Sequence, residues 1–395
     1  MRLTALLAAH FLLVTATAAP AAEFNVREYG ATADDETDDT PAILKALEAC
    51  GKAGGGVVYL PAGTYRVARQ KAESPILPVP SNTTVRGEGL ASVLKFDPKV
   101  NQTNFWRMLG APAGGCKNVT VRDLRLDGSN THPKYDKGKT PEHNCGLFFS
   151  VPDGVVENLV VRDLLVENFS GDCVAVGHGC RNVVVRDLRL RNFVRQGVQL
   201  AGGSGARDYL VTGVQDLEHT VEPGGSTIHV EHARGLKNVT VAGNHCRRSI
   251  LAGGVDGLVI ADNAVEGRLV GNGNRNLRVQ GNLVRGAAGG AGAVVQFGYT
   301  DGLVMRDNTV LAAAGQTGIY LWGASKYDPN PSRDVLVGGN LIRPAEKGGI
   351  VELGVHLNGV EGAVVRDNRV AGCPPEARLK VSRATDVTQD QPADK

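Results

Sequence analysis

The sequence predicts an all-β fold, a single-stranded parallel β-helix of about eleven coils with a short N-terminal capping helix, and three observations carry that expectation. One phrase recurs along the chain: Asn118-Val-Thr-Val-Arg-Asp-Leu, Asn158-Leu-Val-Val-Arg-Asp-Leu, Asn182-Val-Val-Val-Arg-Asp-Leu, Asn238-Val-Thr-Val-Ala-Gly-Asn and Asn276-Leu-Arg-Val-Gln-Gly-Asn. Its first residue marks eleven anchors, at 82, 118, 158, 182, 208, 238, 257, 276, 302, 334 and 362, spaced 19 to 40 residues apart, so loops of variable length interrupt a constant frame. The seventh residue is Leu124, Leu164, Leu188 and Val214 in the early coils, then Asn244, Asn263, Asn282, Asn308, Asn340 and Asn368, and an Asn tolerates left-handed backbone while its amide can bond to the amides stacked above and below. Glycine supplies 51 of 395 residues and aromatics only 5%, which favours turns over long helices.

Taken from the N-terminus, Met1 to Ala22 carry Arg2, an apolar run from Leu6 to Val14 and a small-residue pattern at Ala16 to Ala21, which predicts a secretory signal peptide over 1–22 and a secreted or periplasmic protein. That run is far shorter than the ~20 residues of a spanning helix, so membrane insertion is not expected. A formal charge of +2 argues against a nucleic-acid partner. Thr40-Pro41 reads as N-cap and first helical residue, and Ile43, Leu44, Leu47 and Cys50 share one face, giving a capping helix over 40–50 on a β-helix domain spanning 23–373.

Within each coil the side chains alternate, Val119 and Val121 inward, Thr120 and Arg122 outward, and a second strand such as Gly197-Val-Gln-Leu or Gly318-Ile-Tyr-Leu follows a turn. Two short strands cannot bury an apolar face alone. Stacking at about 4.8 Å per coil lets each pair with its equivalents above and below. Past Cys373 the segment 374–395 reads as a polar tail. The chain has seven cysteines; Cys116 and Cys180 both precede an anchor by two residues, but Val156 holds that place in the coil between, so they are expected two coils apart and unbonded. Cys145 and Cys173, on adjacent coils, are the pair expected to bridge.

The stretch from Phe24-Asn-Val-Arg-Glu-Tyr-Gly-Ala to Asp38-Asp-Thr-Pro-Ala-Ile43, followed by Gly54-Gly-Gly-Val-Val-Tyr-Leu-Pro-Ala-Gly-Thr-Tyr-Arg-Val67, closely resembles the opening of the pectate-lyase-like superfamily of right-handed parallel β-helix proteins. That resemblance implies an exported protein acting on polysaccharide, in a group that holds lyases, glycosidases, epimerases and phage tailspikes. In its polygalacturonase-like branch the working motifs are N-T-D, G-D-D-C, G-H-G and R-I-K. Gly171-Asp-Cys resembles G-D-D-C with one aspartate lost, so Asp172 alone carries over. The other places hold His143-Asn-Cys145, Gln196 and Ile228-His-Val-Glu231. Gly177-His178-Gly179 spells G-H-G but falls in the turn after Asp172 rather than on the next coil, and is read as a turn.

A second constellation is local: Glu218-His219, Glu222, His229, Glu231 and His232. Alternation places His229 and Glu231 on the outer face, His229 in line with Gln199 and Ala175 on the coils below. Hydrolysis would use Asp172 with Glu231 or Glu222 as acid and base, His229 orienting. Elimination from a uronate would use His229 as base, with Arg195, Arg248 or a bound calcium ion neutralising the substrate carboxylate. Tyr320 and Trp322 alternate outward and suit the apolar face of a pyranose. A long loop carrying Lys134, Lys137 and Lys139 beside Asp172 suits an anionic glycan. The sequence therefore points to a monomeric, exported hydrolase or lyase on an acidic polysaccharide, with Asp172, His229 and Glu231 catalytic and Gln199, Arg195, Arg248, Glu222, Tyr320 and Trp322 binding substrate. A glycan-binding or structural β-helix without catalysis is the other class these features fit.

Overall fold

A computed structural model describes residues 21–70, 74–97, 106–129, 143–220, 225–324 and 330–390. Nearly all of the expected signal peptide lies outside these, as do Glu222 and the three loop lysines. The chain is a right-handed parallel β-helix built from a 24-stranded and a 12-stranded sheet around one continuous apolar core. Every strand pairs in parallel with its equivalent one coil away. Val119 pairs with Leu159, Leu159 with Val183, Val183 with Tyr209 and Tyr209 with Val239; the column continues through Leu277, Leu303, Val335 and Ala363. The anchors therefore stack in register despite their uneven spacing.

The anchors themselves sit at a corner that needs left-handed backbone, with φ of 57° at Asn82, 56° at Asn118, 58° at Asn158 and 55° at Asn182. Their amides also chain together, Asn118 donating to Asn82 at 2.8 Å and Asn158 to Asn118 at 2.8 Å. At the next corner the six-Asn ladder runs unbroken: Asn244 donates to Asn263 and Asn263 to Asn282, both at 2.9 Å, and so on to Asn340 and Asn368 at 2.8 Å. Where Leu124, Leu164 and Leu188 fill that corner, the strands run through it continuously, as Gly115–Asp127, Val155–Glu167 and Cys180–Arg191.

The ladder gives a stability prediction. The buried side chain of Asn340 accepts from both the backbone and the amide of Asn308, at 3.0 and 2.9 Å, and donates to Met305 and Asn368. Asn340→Ala leaves the buried backbone N–H of Asn308 without its acceptor, while the Asn308 amide keeps Val279 and Arg306, and should cost about 1–3 kcal/mol in urea denaturation.

Four expectations change. The helix runs Thr40–Lys52, with Asp39 rather than Thr40 at the N-cap. The Asp39 carboxylate accepts from Thr32 and Ala33, and Thr40 is drawn inward to accept from Ala68 at 2.8 Å. Strands extend beyond the anchors at both ends, so the solenoid exceeds eleven coils; the segment read as a polar tail forms Leu379–Ser382 and Thr385–Asp390, which pair with Val355–Asn358 and Val360–Arg366. Residues 379–382 and 385–389 are exposed or half-exposed, which is why the segment reads as polar. All seven cysteines are free, Cys145 and Cys173 included. Leu147 pairs with Val174, so Cys145 aligns with Asp172, one place out from Cys173. Cys173 then turns into the core toward the Val166 carbonyl, while Cys145 faces a cavity. Val156 pairs with both Cys116 and Cys180 and separates them as expected.

Candidate active site

The outer face of the 12-stranded sheet carries the site. Its register sets Phe148, Ala175, Gln199, His229, Leu251, Val270, Gln296, Tyr320 and His356 in one outward row, with Glu231 and Trp322 in the row two residues on. The alignment of His229 on Gln199 and Ala175 is as the alternation requires. Asp172 lies just before the strand Val174–Val176 and lines a cavity of about 350 Å³ with Arg107, Cys145, Phe148, Arg195, Gln199 and Glu231, and with His178 and His232.

Arg195 organises this cavity. One η nitrogen donates to Asp172 Oδ2 at 2.7 Å and the other to Glu231 Oε1 at 2.5 Å, so two carboxyls from coils two apart share one planar fork. Gln199 also donates to Glu231. The strand ends hold the arginine in place: a Cβ on Gly225 would fall 1.6 Å from the Arg195 carbonyl oxygen, so only glycine fits there. Since its fork is engaged, Arg195 does not have the role expected of it, a free cation for a substrate carboxylate.

The environments of the two carboxyls differ. Asp172 is 2% exposed, and burial pushes its pKa up to about 7 against the pull of Arg195. Its Oδ1 is buried without a hydrogen-bond partner among the described residues. Glu231 is less buried; burial raises its pKa, but the opposing pull, led by the Arg195 guanidinium, holds it below the ordinary value. Gln196 orients His229. The backbone N–H of Ser226 donates to Gln196 Oε1 at 2.8 Å, so the Gln196 NH₂ faces His229 Nδ1 at 3.0 Å and donates to it. The neutral imidazole then carries its proton on Nε2, and burial lowers its pKa. With Nδ1 occupied and Nε2 protonated, His229 is a donor rather than the base expected from the sequence.

Arg248 turns away from the groove. Its guanidinium lies 3.6 Å over the Phe193 ring and within 3.8 Å of Asp216 Oδ2, in a buried network with His219, whose Nε2 is 2.6 Å from Asp216. The expected substrate contact by Arg248 is therefore corrected: its residue sits at a strand end, where the chain bends and outward alternation no longer holds. Conversely, the turn Gly177-His178-Gly179 delivers His178 to the cavity rim, Nδ1 3.1 Å from Ser150 Oγ. Sequence reasoning also missed Arg107, stacked 3.5 Å over the outward Phe148. The parity of Cys145–Phe149, with Leu147 and Phe149 buried, was the available signal for Phe148.

Calcium does not fit these residues. The Arg195 fork fills the space between the two carboxylates, and the described residues contain no group of three or more His, Cys, Asp or Glu able to hold an ion.

Residues 23–147 match the family described as rhamnogalacturonase A/epimerase, pectate lyase-like. The A-module of mannuronan C-5 epimerase AlgE6 from Azotobacter vinelandii superposes with a TM-score of 0.58 at 19% identity, covering 94% of this chain and all of that one. The family match thus covers the first third of the chain, and the whole of the described chain shares the parallel β-helix fold. The chain is also similar to alginate lyase 7 of the same organism, 34% identical over 149 residues, which is 36% of this chain but 17% of that enzyme's length. PfbA, a surface adhesin of Streptococcus pneumoniae, shares the parallel β-helix fold with a TM-score of 0.63 at 13% identity, covering 93% and 92% of the two chains. No helix among the described residues is long and apolar enough to cross a membrane.

Proposed function

We propose that this chain is an exported polysaccharide-active enzyme that works on a uronate glycan, in the cavity where Arg195 holds Asp172 and Glu231. The observation that carries this reading is two carboxyls on one guanidinium in unlike surroundings, Asp172 almost wholly buried, which pushes its pKa up to about 7, and Glu231 more exposed and held below the ordinary value. Two relatives are by name an alginate lyase and a mannuronan epimerase, which supports a uronate substrate. Lyase and C5-epimerase chemistry begin alike, with loss of the proton next to the uronate carboxylate. That step needs a group that stabilises the charge moving onto the carboxylate and a base for the proton.

The neutral Asp172 carboxyl supplies the first by donating a hydrogen bond, and Arg107 adds positive charge to the same cavity. His178, on the rim, is the candidate base, and His229 Nε2–H is a donor for a sugar oxygen. Hydrolysis is the second reading, because the same split would suit Asp172 as general acid and Glu231 as base.

Incubation with alginate, polymannuronate and pectate separates these. An unsaturated uronate absorbing in the ultraviolet marks elimination, and solvent deuterium at C5 without cleavage marks epimerisation. New reducing ends without absorbance mark hydrolysis. Binding with none of these products overturns the enzyme reading in favour of a glycan-binding β-helix. Chelator should leave activity unchanged, since no described cluster holds an ion; loss of activity in EDTA restored by calcium would contradict this.

A further inference from the structure

We propose that Trp322 and Tyr320 form a second glycan subsite, a stacking platform four rungs from Glu231 that grips the distal sugars of the polymer whose reacting unit lies in the Asp172 cavity. This rests on the reading of that cavity as a uronate-glycan site. Its own support is separate. A groove of about 610 Å³ starts at His229, Glu231 and His232 and ends at Gln296 and Trp322; Glu231 and His232 line both it and the Asp172 cavity, so the two are continuous. In the row of Glu231 the intervening positions are Gly253, Asn272 and Gly298, which leave the floor low. Four rungs at about 4.8 Å span roughly 19 Å, about four pyranose units of an extended chain.

The platform is preorganised. A Cβ on Gly298 would fall 2.0 Å from the Trp322 indole, so the ring lies directly on that backbone and glycine is what lets it do so. Tyr320 stacks beside it with centroids 5.7 Å apart and planes 16° from parallel, and its hydroxyl accepts from Asn358 at 3.0 Å. Fixed, half-buried aromatic rings lose little entropy on binding and offer the apolar face that pyranoses stack on. Such stacking does not read the carboxylate. Trp322 therefore sets how chain length affects affinity, while the Asp172 cavity sets which sugar reacts.

The chain's two tryptophans make the test direct, because Trp106 is 2% exposed and Trp322 is the one a quencher reaches. Alginate oligomers from dimer to octamer are titrated into the Asp172→Asn chain, which does not consume them, with acrylamide quenching and calorimetry as readouts. Octamers should shield Trp322 and dimers should not. Trp322→Ala should weaken octamer binding about five- to tenfold and leave dimer binding alone, with Trp322→Phe retaining most of the affinity. Octamer saturation that leaves Trp322 fully quenchable, or equal octamer affinity in Trp322→Ala, overturns the subsite alone. Failure of the wild-type chain to bind any alginate oligomer overturns the uronate reading and the subsite with it. Should Trp322→Ala lose its melting transition, the quenching data and Trp322→Phe decide.

Discussion

Asp172→Asn is expected to lower turnover on a cleaved or epimerised uronate polymer by at least about a hundredfold, the usual cost of losing a positioned acid, while leaving the fold intact. The amide keeps the size and neutrality of the protonated carboxyl but has no acidic proton. Stability supplies an independent check on the protonation state. Burial raises the folded-state pKa from 3.8 to about 7, so between those values the folded chain holds a proton that the unfolded chain has released. The stabilisation from that proton is complete below about pH 4 and is lost as pH rises toward 7, by on the order of 4 kcal/mol. The amide of the variant cannot ionise. The stability of wild type relative to Asp172→Asn should therefore fall between pH 4 and 7 and then level off, as followed by urea denaturation. Activity that needs the proton should fall along the same limb. A pH-independent difference, or full turnover in the variant, would remove Asp172 from the chemistry.

Arg195→Met should damage both fold and function. The guanidinium is the shared hydrogen-bond partner of two carboxyls, one of them almost wholly buried, and losing both hydrogen bonds should cost about 2–4 kcal/mol. Without it, Glu231 loses the main influence holding it ionised, so the split between the two carboxyls narrows and turnover should drop by at least about a hundredfold. Arg195→Lys should not restore activity, because one ammonium lacks the planar fork that reaches two carboxylates at once. Urea midpoints and turnover of both variants, measured together, check this; a lysine variant with wild-type turnover would show that charge alone suffices and that the fork does not position the pair.

Which parts of this molecule were legible in the sequence follows from where regularity holds. The anchor phrase carried the register of the solenoid because each copy buries its Val or Leu and places a left-handed residue at the same corner, as at Asn118, Asn158 and Asn182. The Asn244 to Asn368 ladder and the outward row through Gln199, His229 and Tyr320 follow from the same periodicity. Outside the strands that logic fails. Asp172, Arg195 and Arg248 sit at strand ends and turns, where the chain bends and parity no longer tells inward from outward. Arg248 went to a buried network and Cys173 to the core, while His178, set aside as a turn, reached the cavity. The sequence by itself determined the coil frame, its register and the outward face of the strands, since these depend on local alternation repeated many times. Only the tertiary structure decided that Asp172 and Glu231 meet on one guanidinium, that Gln196 sets the proton on His229, and that Trp322 lies on Gly298. Each of those contacts joins residues from different coils, and their energies depend on three-dimensional burial that no spacing along the chain encodes.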